Sequence, residues 1–337
     1  MMAVERVATQ VTTRPAAARR YARPMGLVMA GVAAVFAIGA PFVLPTYTVE
    51  LVILFFMNLV LVVSYRLITT TGDWGLAHVV MMGAGGYSAA LLAKGLDLPV
   101  WLTVPLAGFI AAAVAGLISV PLLRTRAFGY FIASFALGEL LRLFWIRLDV
   151  PFGGIRGLIN IPEGELFGHS LFETVPYYFF ALFVAFVCVG IMYQLDRSRL
   201  GMTWKALYSD PALAECVGID MTHYRRSAFM IGSGFAGVAG AMLAHRMGAI
   251  DPKNFDLVTM LYLIIWVVVG GTQSFWGAAV GLLVMTFVFE LTRPLLEWRP
   301  LIFGVVLIFF LIFLPGGLES LAGRLSALAR SFKRGAS

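Results

Sequence analysis

The 337-residue chain is 60% hydrophobic and only 13% charged, with a mean hydropathy of +0.89. Soluble domains usually carry about a quarter charged residues, so this chain has too few polar groups to coat a water-facing surface. Composition therefore excludes an ordinary soluble protein and indicates lipid as the solvent, in which each helical span needs about 20 mostly apolar residues. The two cysteines lie in different surroundings and indicate neither a disulfide framework nor a metal cluster.

The N-terminus is polar and basic, and an apolar run, Met25–Leu44, follows it. A basic stretch before an apolar one is also the pattern of a secretory signal peptide. The run is about as long as a full span, and no clear cleavage site follows it. We therefore interpret it as a retained first helix and residues 1–24 as a cytosolic tail.

Nine further apolar segments follow. They are Val49–Ile68, Trp74–Ala93, Val100–Val120, Phe128–Ile146, Pro176–Leu195, Ser227–Met247, Leu257–Gly271, Phe275–Leu291 and Leu301–Leu314. The uncharged stretch Leu257–Phe289 is too long for one ordinary span, and the cluster Gly270–Ser274 is the natural place to break it. The sequence predicts an all-α, polytopic integral membrane protein with about ten transmembrane helices and two glycine-rich helix breaks.

The charged residues predict the orientation of these spans. If the N-terminus is cytosolic, most of the 25 lysine and arginine residues fall in inner segments, whereas the outer segment 149–175 is acidic. This asymmetry is the positive-inside pattern of membrane proteins. It predicts a multi-pass protein of the bacterial inner membrane with both termini in the cytosol. The net charge of +7 then reports topology and contact with anionic lipid rather than nucleic acid.

The chain offers little for catalysis or for holding a cofactor. It has no Gly-x-x-x-x-Gly-Lys-[Ser/Thr] phosphate loop, so it does not itself hydrolyse ATP by that device. Its four histidines are scattered, with no spacing that suggests a metal site. We therefore predict a transport subunit without a bound cofactor or metal, and a membrane-bound enzyme has little support.

The first glycine-rich break lies near Gly72–Gly75, at the start of the third predicted span and within the glycine-rich region Thr71–Tyr87. In one interpretation Asp73 caps the helix that follows, and Gly83 lets a neighbouring helix approach closely. In the other, a discontinuous helix presents free backbone groups and His78 to a translocation path, as in transporters. Both interpretations stay open at this point.

The second break, Gly270–Gly277, again interrupts an apolar run and places a tryptophan at a helix start. It is either a tight interfacial turn or a second border of the path. The candidate path residues of the two breaks are Asp73, His78, Gly83, Gly270, Gly271, Gln273 and Ser274.

An isolated pair of charges, Glu139 and Arg142, lies in the otherwise apolar segment Phe128–Ile146. At a spacing of three residues the two side chains share a helix face and can pair, which lowers the cost of placing them in lipid. The pair is either a structural ion pair between helices or a part of the substrate path.

The longest inner loop, Asp196–Arg226, contains signals for a short capped helix. Ser209 or Asp210 can cap it, proline suits its first position and glycine its end. Such a helix either docks a soluble partner or lies on the membrane surface. The candidate residues for docking an ATPase are Asp210, Pro211, Leu213, Glu215, Val217 and Gly218.

Five segments in register resemble the LivM-type permeases of branched-chain amino acid ABC importers. They are the glycine-rich Gly72–Leu92, the Phe-x-x-Gly-Glu-x-x-Arg stretch Phe135–Arg142, the inner segment Leu200–Asp220, Val269–Leu282 and the closing Leu314–Leu318. The resemblance covers about residues 50 to 318. It implies a permease domain at 25–318 with a coupling loop at 196–226, followed by a basic cytosolic tail at 319–337.

The resemblance also implies partners: a second related permease, two ATP-binding cassette ATPase subunits that use ATP, and a periplasmic solute-binding protein. Three positions depart from the family pattern, since Gly75 stands in place of Ser, Ala77 in place of Gly, and Gln273 in place of Gly. The resemblance therefore predicts the transporter class more strongly than the cargo, which we expect to be a branched-chain amino acid or a related amino acid, amide, urea or organic acid. The alternative is a self-contained secondary transporter or channel.

Overall fold

The structure is a computed structural model that describes residues 39–125, 128–162, 164–166, 169–171, 173–314 and 316–319. The predicted tail 1–24 and all but the end of the predicted span Met25–Leu44 lie outside these residues. So does the basic tail beyond residue 319. Contacts divide the chain into units 1–49 and 50–337, and the packing described below concerns the second.

The described chain is mostly helical. Its main helices are α1 (Thr46–Thr69), α2 (His78–Leu96), α3 (Val100–Leu122), α4 (Phe128–Arg147), α5 (Thr174–Arg197), α6 (Arg199–Ser209), α7 (Pro211–Cys216), α8 (Met221–Met247), α9 (Leu257–Gly270), α10 (Gly277–Leu291) and α11 (Arg299–Phe313). Six of them, α1 to α5 and α8, are long and apolar enough to cross a membrane. The chain is a polytopic helical membrane protein.

The last three helices are apolar but short, with 14 residues in α9 and 15 each in α10 and α11. At a rise of 1.5 Å per residue they reach only about 20 Å, against a hydrocarbon core of about 30 Å. The count of ten spans therefore stays a prediction.

Small residues bring the central helices together. Gly85 of α2 packs against the backbone of Gly237 in α8, and Gly86 packs against Gly240 one turn further on. Gly108 of α3 approaches the same helix at Gly234. In lipid the hydrophobic effect gives helices no reason to associate, so close backbone approach through small residues supplies the packing energy. Helix α2 lies at the centre of this arrangement and is buried on nearly all sides.

The predicted outer side carries short irregular structure that the sequence did not reveal. Strand β1 (Leu158–Ile159) pairs antiparallel with β4 (Ala249–Ile250), and β2 (Glu165–Leu166) pairs with β3 (His169–Ser170). Short 3-10 segments cover Gly154–Arg156, Pro252–Phe255 and Arg293–Trp298, and an irregular turn covers Asp149–Phe152. Two-residue strands carry no periodicity, which is why the all-α prediction missed them.

Most helix boundaries match the predicted spans closely, but two starts were wrong. Helix α2 begins at His78 rather than Trp74, and the chain from residue 70 to 77 is a turn. Helix α8 begins at Met221 rather than Ser227, because the Asp220 carboxylate accepts a hydrogen bond from the His223 N–H and caps it. Cap signals inside polar loops are easily missed when spans are drawn from hydropathy alone.

Candidate functional site

In the first break, residues 70–77, Asp73 is held by a distant arginine. Its carboxylate accepts from Arg225 of α8 in a two-point pair, at 2.7 Å from Nε and 2.6 Å from Nη2, and both side chains are buried. The interpretation in which Asp73 caps the following helix was wrong. The N-cap of α2 is Ala77, without a side-chain cap bond, because the planar guanidinium satisfies the carboxylate instead.

His78 begins α2 and packs against α1. Its Nε2 lies 2.9 Å from the hydroxyl oxygen of Ser64, and its ring lies against that of Tyr65 with centroids 5.2 Å apart. The Nδ1 atom has no hydrogen-bond partner in the described part of the chain. These contacts hold the start of α2 on α1, and a role for His78 in the path stays a prediction.

Gly83 serves close packing. A Cβ atom at this position would come within 2.8 Å of the Trp145 ring and 2.9 Å of the Phe255 ring. The space that Gly83 leaves is therefore filled by two large aromatic side chains from α4 and from the 3-10 segment before α9. This geometry favours the packing interpretation of Gly83 over a place along the path.

The second break, residues 271–276, encloses a carboxylate. The backbone N–H groups of Gln273 and Ser274 both donate to Glu319, at 2.8 Å each. Ser274 also accepts from the Gly277 N–H at 3.1 Å, at the start of α10. Gly271 has φ = +101°, a conformation in which a side chain is strained. A helix N-terminus with free N–H groups favours an anion, and Glu319 supplies it.

We expect Glu319→Ala to loosen the second break. It removes two charge-assisted hydrogen bonds, each worth about 1.5–3 kcal/mol, so the amides of Gln273 and Ser274 should exchange their hydrogens on the order of ten- to a hundredfold faster. Hydrogen exchange followed by mass spectrometry measures this. Glu297→Ala, at an exposed glutamate, is the matched control. Unchanged protection in Glu319→Ala would show that the loop holds its shape without the carboxylate.

Arg66, in the last turn of α1, connects the second break to the end of α5. It is 1% exposed, its Nη1 donates to Asp196 at 2.6 Å, and its Nε donates to the backbone oxygen of Thr272 at 3.3 Å. Asp196 also accepts from Lys205 of α6 at 2.7 Å. Sequence reasoning used Arg66 only as a topology marker. The available signal was a lone cation near the end of an apolar run, which is costly in lipid unless it is paired.

These elements meet around a small polar cavity of about 140 Å³. Its lining comes from α1, the first break, α6 and the second break, and consists of Arg66, Thr69, Thr70, Lys205, Tyr208, Ser209, Thr272 and Gln273. Tyr208 also lies beside Gly72, so the first break adjoins the cavity. We call the cavity, together with the helix ends and the two breaks that adjoin it, the inner junction. Of the predicted path residues, Gln273 lines this cavity, whereas His78 and Gly83 do not.

The inner loop is folded and anchored. Trp204 of α6 is buried, and its Nε1 donates to the backbone oxygen of Tyr224 in α8 at 3.1 Å. Asp210 caps α7 by accepting from the Leu213 N–H at 3.0 Å, and Pro211 occupies the first position. The sequence signals predict a helix over Pro211–Val217, and the helix ends one residue earlier, at Cys216; Gly218 follows with φ = +83°.

Two apolar side chains of this loop, Leu213 and Val217, form one exposed stripe. Leu213 is 62% exposed and Val217 is 69% exposed, whereas Ala214 is buried against the rest of the chain. Exposed apolar side chains at this spacing form a surface that a groove on another molecule can cover.

Glu139 and Arg142 do pair, within helix α4. The Arg142 Nη2 lies 2.5 Å from Glu139 Oε1, and the Nε lies 2.8 Å from Oε2. The interpretation as an ion pair between two helices of this chain was wrong, because both groups lie in α4, three residues apart. The pair stays partly open, with 30% of the Glu139 side chain and 19% of the Arg142 side chain exposed.

A model of the family "Branched-chain amino acid transport system / permease component" matches residues 47–314 of this chain. The chain belongs to this family. It is therefore a transport permease subunit rather than an enzyme, and it lies in the inner membrane as a multi-pass protein. The matched range contains both breaks, the cavity of the inner junction and the inner loop.

Individual relatives agree with the family. The chain is 27% identical to the LivM permease of the high-affinity branched-chain amino acid transport system of Salmonella typhimurium, and 26% identical to that of Escherichia coli. Each match covers 84% of this chain and 72% of the relative. A probable LivH permease of Methanocaldococcus jannaschii is 26% identical over 58% of this chain and 64% of its own length. No solved structure matches the chain.

Proposed function

We propose that this permease forms one half of the transmembrane path of a binding-protein-dependent ABC importer for branched-chain amino acids or a related amino acid, amide, urea or organic acid. The match of the family model along residues 47–314 carries the proposal. The relatives named above are permeases of branched-chain amino acid systems, and this supports the cargo class. The chain itself binds no cofactor in this proposal, and partner chains use the ATP.

The assembly we propose holds this permease, a second related permease, two ATPase subunits and a periplasmic solute-binding protein. The likeness to both LivM and LivH proteins supports two permeases with a common ancestry. The exposed apolar stripe of Leu213 and Val217 supports the docking of an ATPase at α7. A six-residue helix has little stability of its own in water, so a partner that packs against α7 would also hold it in shape.

The contacts of the inner junction suggest how docking could move the path. Motion of α7 passes to α6, whose Lys205 holds Asp196, which in turn holds Arg66 beside the second break. Motion of α8 passes through Arg225 to Asp73 in the first break. The Arg66–Asp196 and Arg225–Asp73 pairs are buried and resist stretching, because separating them leaves charges without solvent. Both breaks could therefore shift when an ATPase changes shape with its nucleotide.

Purification of the tagged chain from its own cell membranes in gentle detergent tests the assembly. We expect a second permease and two ATPase chains to copurify, and a solute-binding protein to stimulate ATP-dependent uptake of labelled leucine, isoleucine or valine in proteoliposomes. Urea and small organic acids serve as competing solutes. ATP-independent uptake by the chain alone would overturn the proposal in favour of a secondary transporter or channel.

The proposed orientation places the inner junction and both termini in the cytosol. Cys216 of α7 is exposed and Cys188 of α5 is buried, so the native chain carries one reporter in the inner loop. We expect a membrane-impermeant maleimide to label Cys216 in inverted vesicles stripped of peripheral proteins and not in intact spheroplasts, with Cys216→Ser as the control. Labelling from the outside of spheroplasts would reverse the orientation.

Helix α4 is where we expect the second permease to pack. Only 22% of the residues in its span are buried, against 72% for α8. The Glu139–Arg142 pair lies on this helix and is partly exposed. An ion pair facing lipid is costly, whereas a neighbouring protein surface can supply polar groups to it. The exposed Leu140 lies between the two charges in sequence.

A photoreactive amino acid placed at Leu140 should therefore crosslink to the second permease in the native membrane. The same group at Phe183 of α5, which is equally exposed, is the control and should give mainly lipid adducts. Adducts of position 140 with lipid alone would mean that α4 faces the bilayer.

A further inference from the structure

Arg66, which lines the cavity of the inner junction, has a buried donor without a partner. Nη1 and Nε of Arg66 are bonded to Asp196 and Thr272, but Nη2 is buried with no hydrogen-bond partner among the described residues. A buried donor left unsatisfied costs about 1–3 kcal/mol, and more when it is charged. We propose that this cavity is a binding site for a small anion, a carboxylate or a phosphate group, which accepts from Arg66 and Lys205 and links α1, α6 and the second break.

The charges around the cavity favour an anion. Arg66 and Lys205 contribute two positive charges, and Asp196 neutralises one of them through bonds of 2.6 Å and 2.7 Å. One positive charge is left over among these three side chains, shared between the buried Arg66 and Lys205, whose side chain is 43% exposed. The carboxylate of Glu319, at the second break, is bonded to backbone N–H groups instead. A charge-assisted bond to an anionic oxygen would satisfy both the surplus charge and the free Nη2 donor.

The hydrogen bonds of the lining hydroxyl groups limit which ligands the cavity can bind. Thr69 and Thr70 donate to the backbone oxygens of Arg66 and Leu67, at 2.8 Å and 2.6 Å. Ser209 likewise donates to the backbone oxygen of Lys205 at 3.0 Å. Their hydrogens are therefore used locally, and the donors left for a ligand are the two cations, the Tyr208 hydroxyl and the side-chain amide of Gln273. Such a set suits a compact group with two or three acceptor oxygens.

The size of the cavity limits the part of an anion that it can hold. Sites for drug-sized molecules occupy about 300–1,000 Å³, and this cavity has about 140 Å³. A phosphate or carboxylate group fills it, and the rest of a larger molecule would have to extend beyond it. The group could belong to a free anion of the cytosol or to the headgroup of an inner-leaflet lipid, since the cavity lies at the inner ends of α1 and α5.

The bound anion would hold the inner junction in the conformation of this structure. It bridges α1 and α6 and also contacts the second break, which are the elements that the proposed coupling must move. Occupancy would therefore slow the opening of the junction toward the cytosol. The site and its test rest on the contacts of the cavity and do not depend on the identity of the cargo.

Hydrogen exchange of the purified permease complex in lipid nanodiscs tests the site. The probes are inorganic phosphate, titrated over nanodiscs of phosphatidylcholine alone, and phosphatidylglycerol, added to the nanodiscs without phosphate. We expect amides at residues 66–72, 205–209 and 272–274 to exchange about tenfold more slowly at ten times the half-saturating concentration. Protection by phosphate identifies a free anion, and protection by phosphatidylglycerol alone identifies a lipid headgroup.

The variants Lys205→Gln and Arg66→Lys should each remove this protection, and Lys94→Gln at the opposite end of α2 should keep it. Arg66→Lys retains the charge but removes the unpartnered Nη2, and if it fails to fold, Lys205→Gln still decides the outcome. Wild-type protein that responds to neither probe would overturn the proposal. A response that persists unchanged in Lys205→Gln would overturn it as well, because the anion would then bind elsewhere.

Discussion

Replacing Asp73 by asparagine is expected to abolish transport and to lower the stability of the permease substantially. The substitution leaves Arg225 buried with a single neutral acceptor in place of a two-point carboxylate pair of 2.6 Å and 2.7 Å. Breaking one partner of a buried ion pair costs about 3–5 kcal/mol, because the remaining charge has neither solvent nor counter-charge. The melting temperature in detergent and the initial rate of uptake in proteoliposomes measure the two effects.

The matched control is Asp97→Asn, at the exposed end of α2. Asp97 has φ = +48°, a conformation that asparagine also tolerates, so this variant should behave like the wild type. The double variant Asp73→Asn, Arg225→Gln removes both charges and should recover most of the stability. Transport should stay impaired in it, because the rigid link between α8 and the first break is gone. Wild-type uptake by Asp73→Asn would remove the pair from the coupling mechanism.

The spans of this protein could be predicted from sequence because hydropathy is a local property. The predicted starts at Val100, Phe128 and Leu257 coincide with the starts of α3, α4 and α9. The cap of α7 was also predictable, since Asp210 and Leu213 lie three residues apart and form their contact within one turn.

The inner junction could not be predicted in the same way, because its contacts join distant parts of the chain. Asp73 and Arg225 are 152 residues apart in sequence, and Arg66 and Asp196 are 130 apart. Local signals around Asp73 favoured a helix cap, and only the fold brings a guanidinium to it. Hydrophobic periodicity reports which face of a helix is apolar, and carries no information on which charge it meets. The role of Glu319 in the second break was hidden for the same reason.

Carboxylates placed on the exposed apolar stripe at α7 are expected to uncouple the permease from its ATPases. In the double variant Leu213→Asp, Val217→Asp, the two exposed apolar side chains of the inner loop become acidic. Burying a side chain of this size in a partner groove contributes about 1.5–3 kcal/mol, so losing both should weaken association by about two to four orders of magnitude. Folding should be unaffected, because Ala214 and the Asp210 cap, which hold α7 in place, are kept.

The measurement is the amount of ATPase that copurifies with the tagged permease, read together with the melting temperature of the permease itself. The control is Leu96→Asp, which changes an exposed leucine at the end of α2 that lies away from the inner loop. It makes the same change on the other side of the membrane and should leave association intact. A competing interpretation has α7 resting on lipid headgroups, with Leu213 and Val217 dipping into the bilayer. In that case the double variant would release α7 from the membrane while the ATPases remain bound at wild-type levels, and the docking element would have to lie elsewhere in the inner loop.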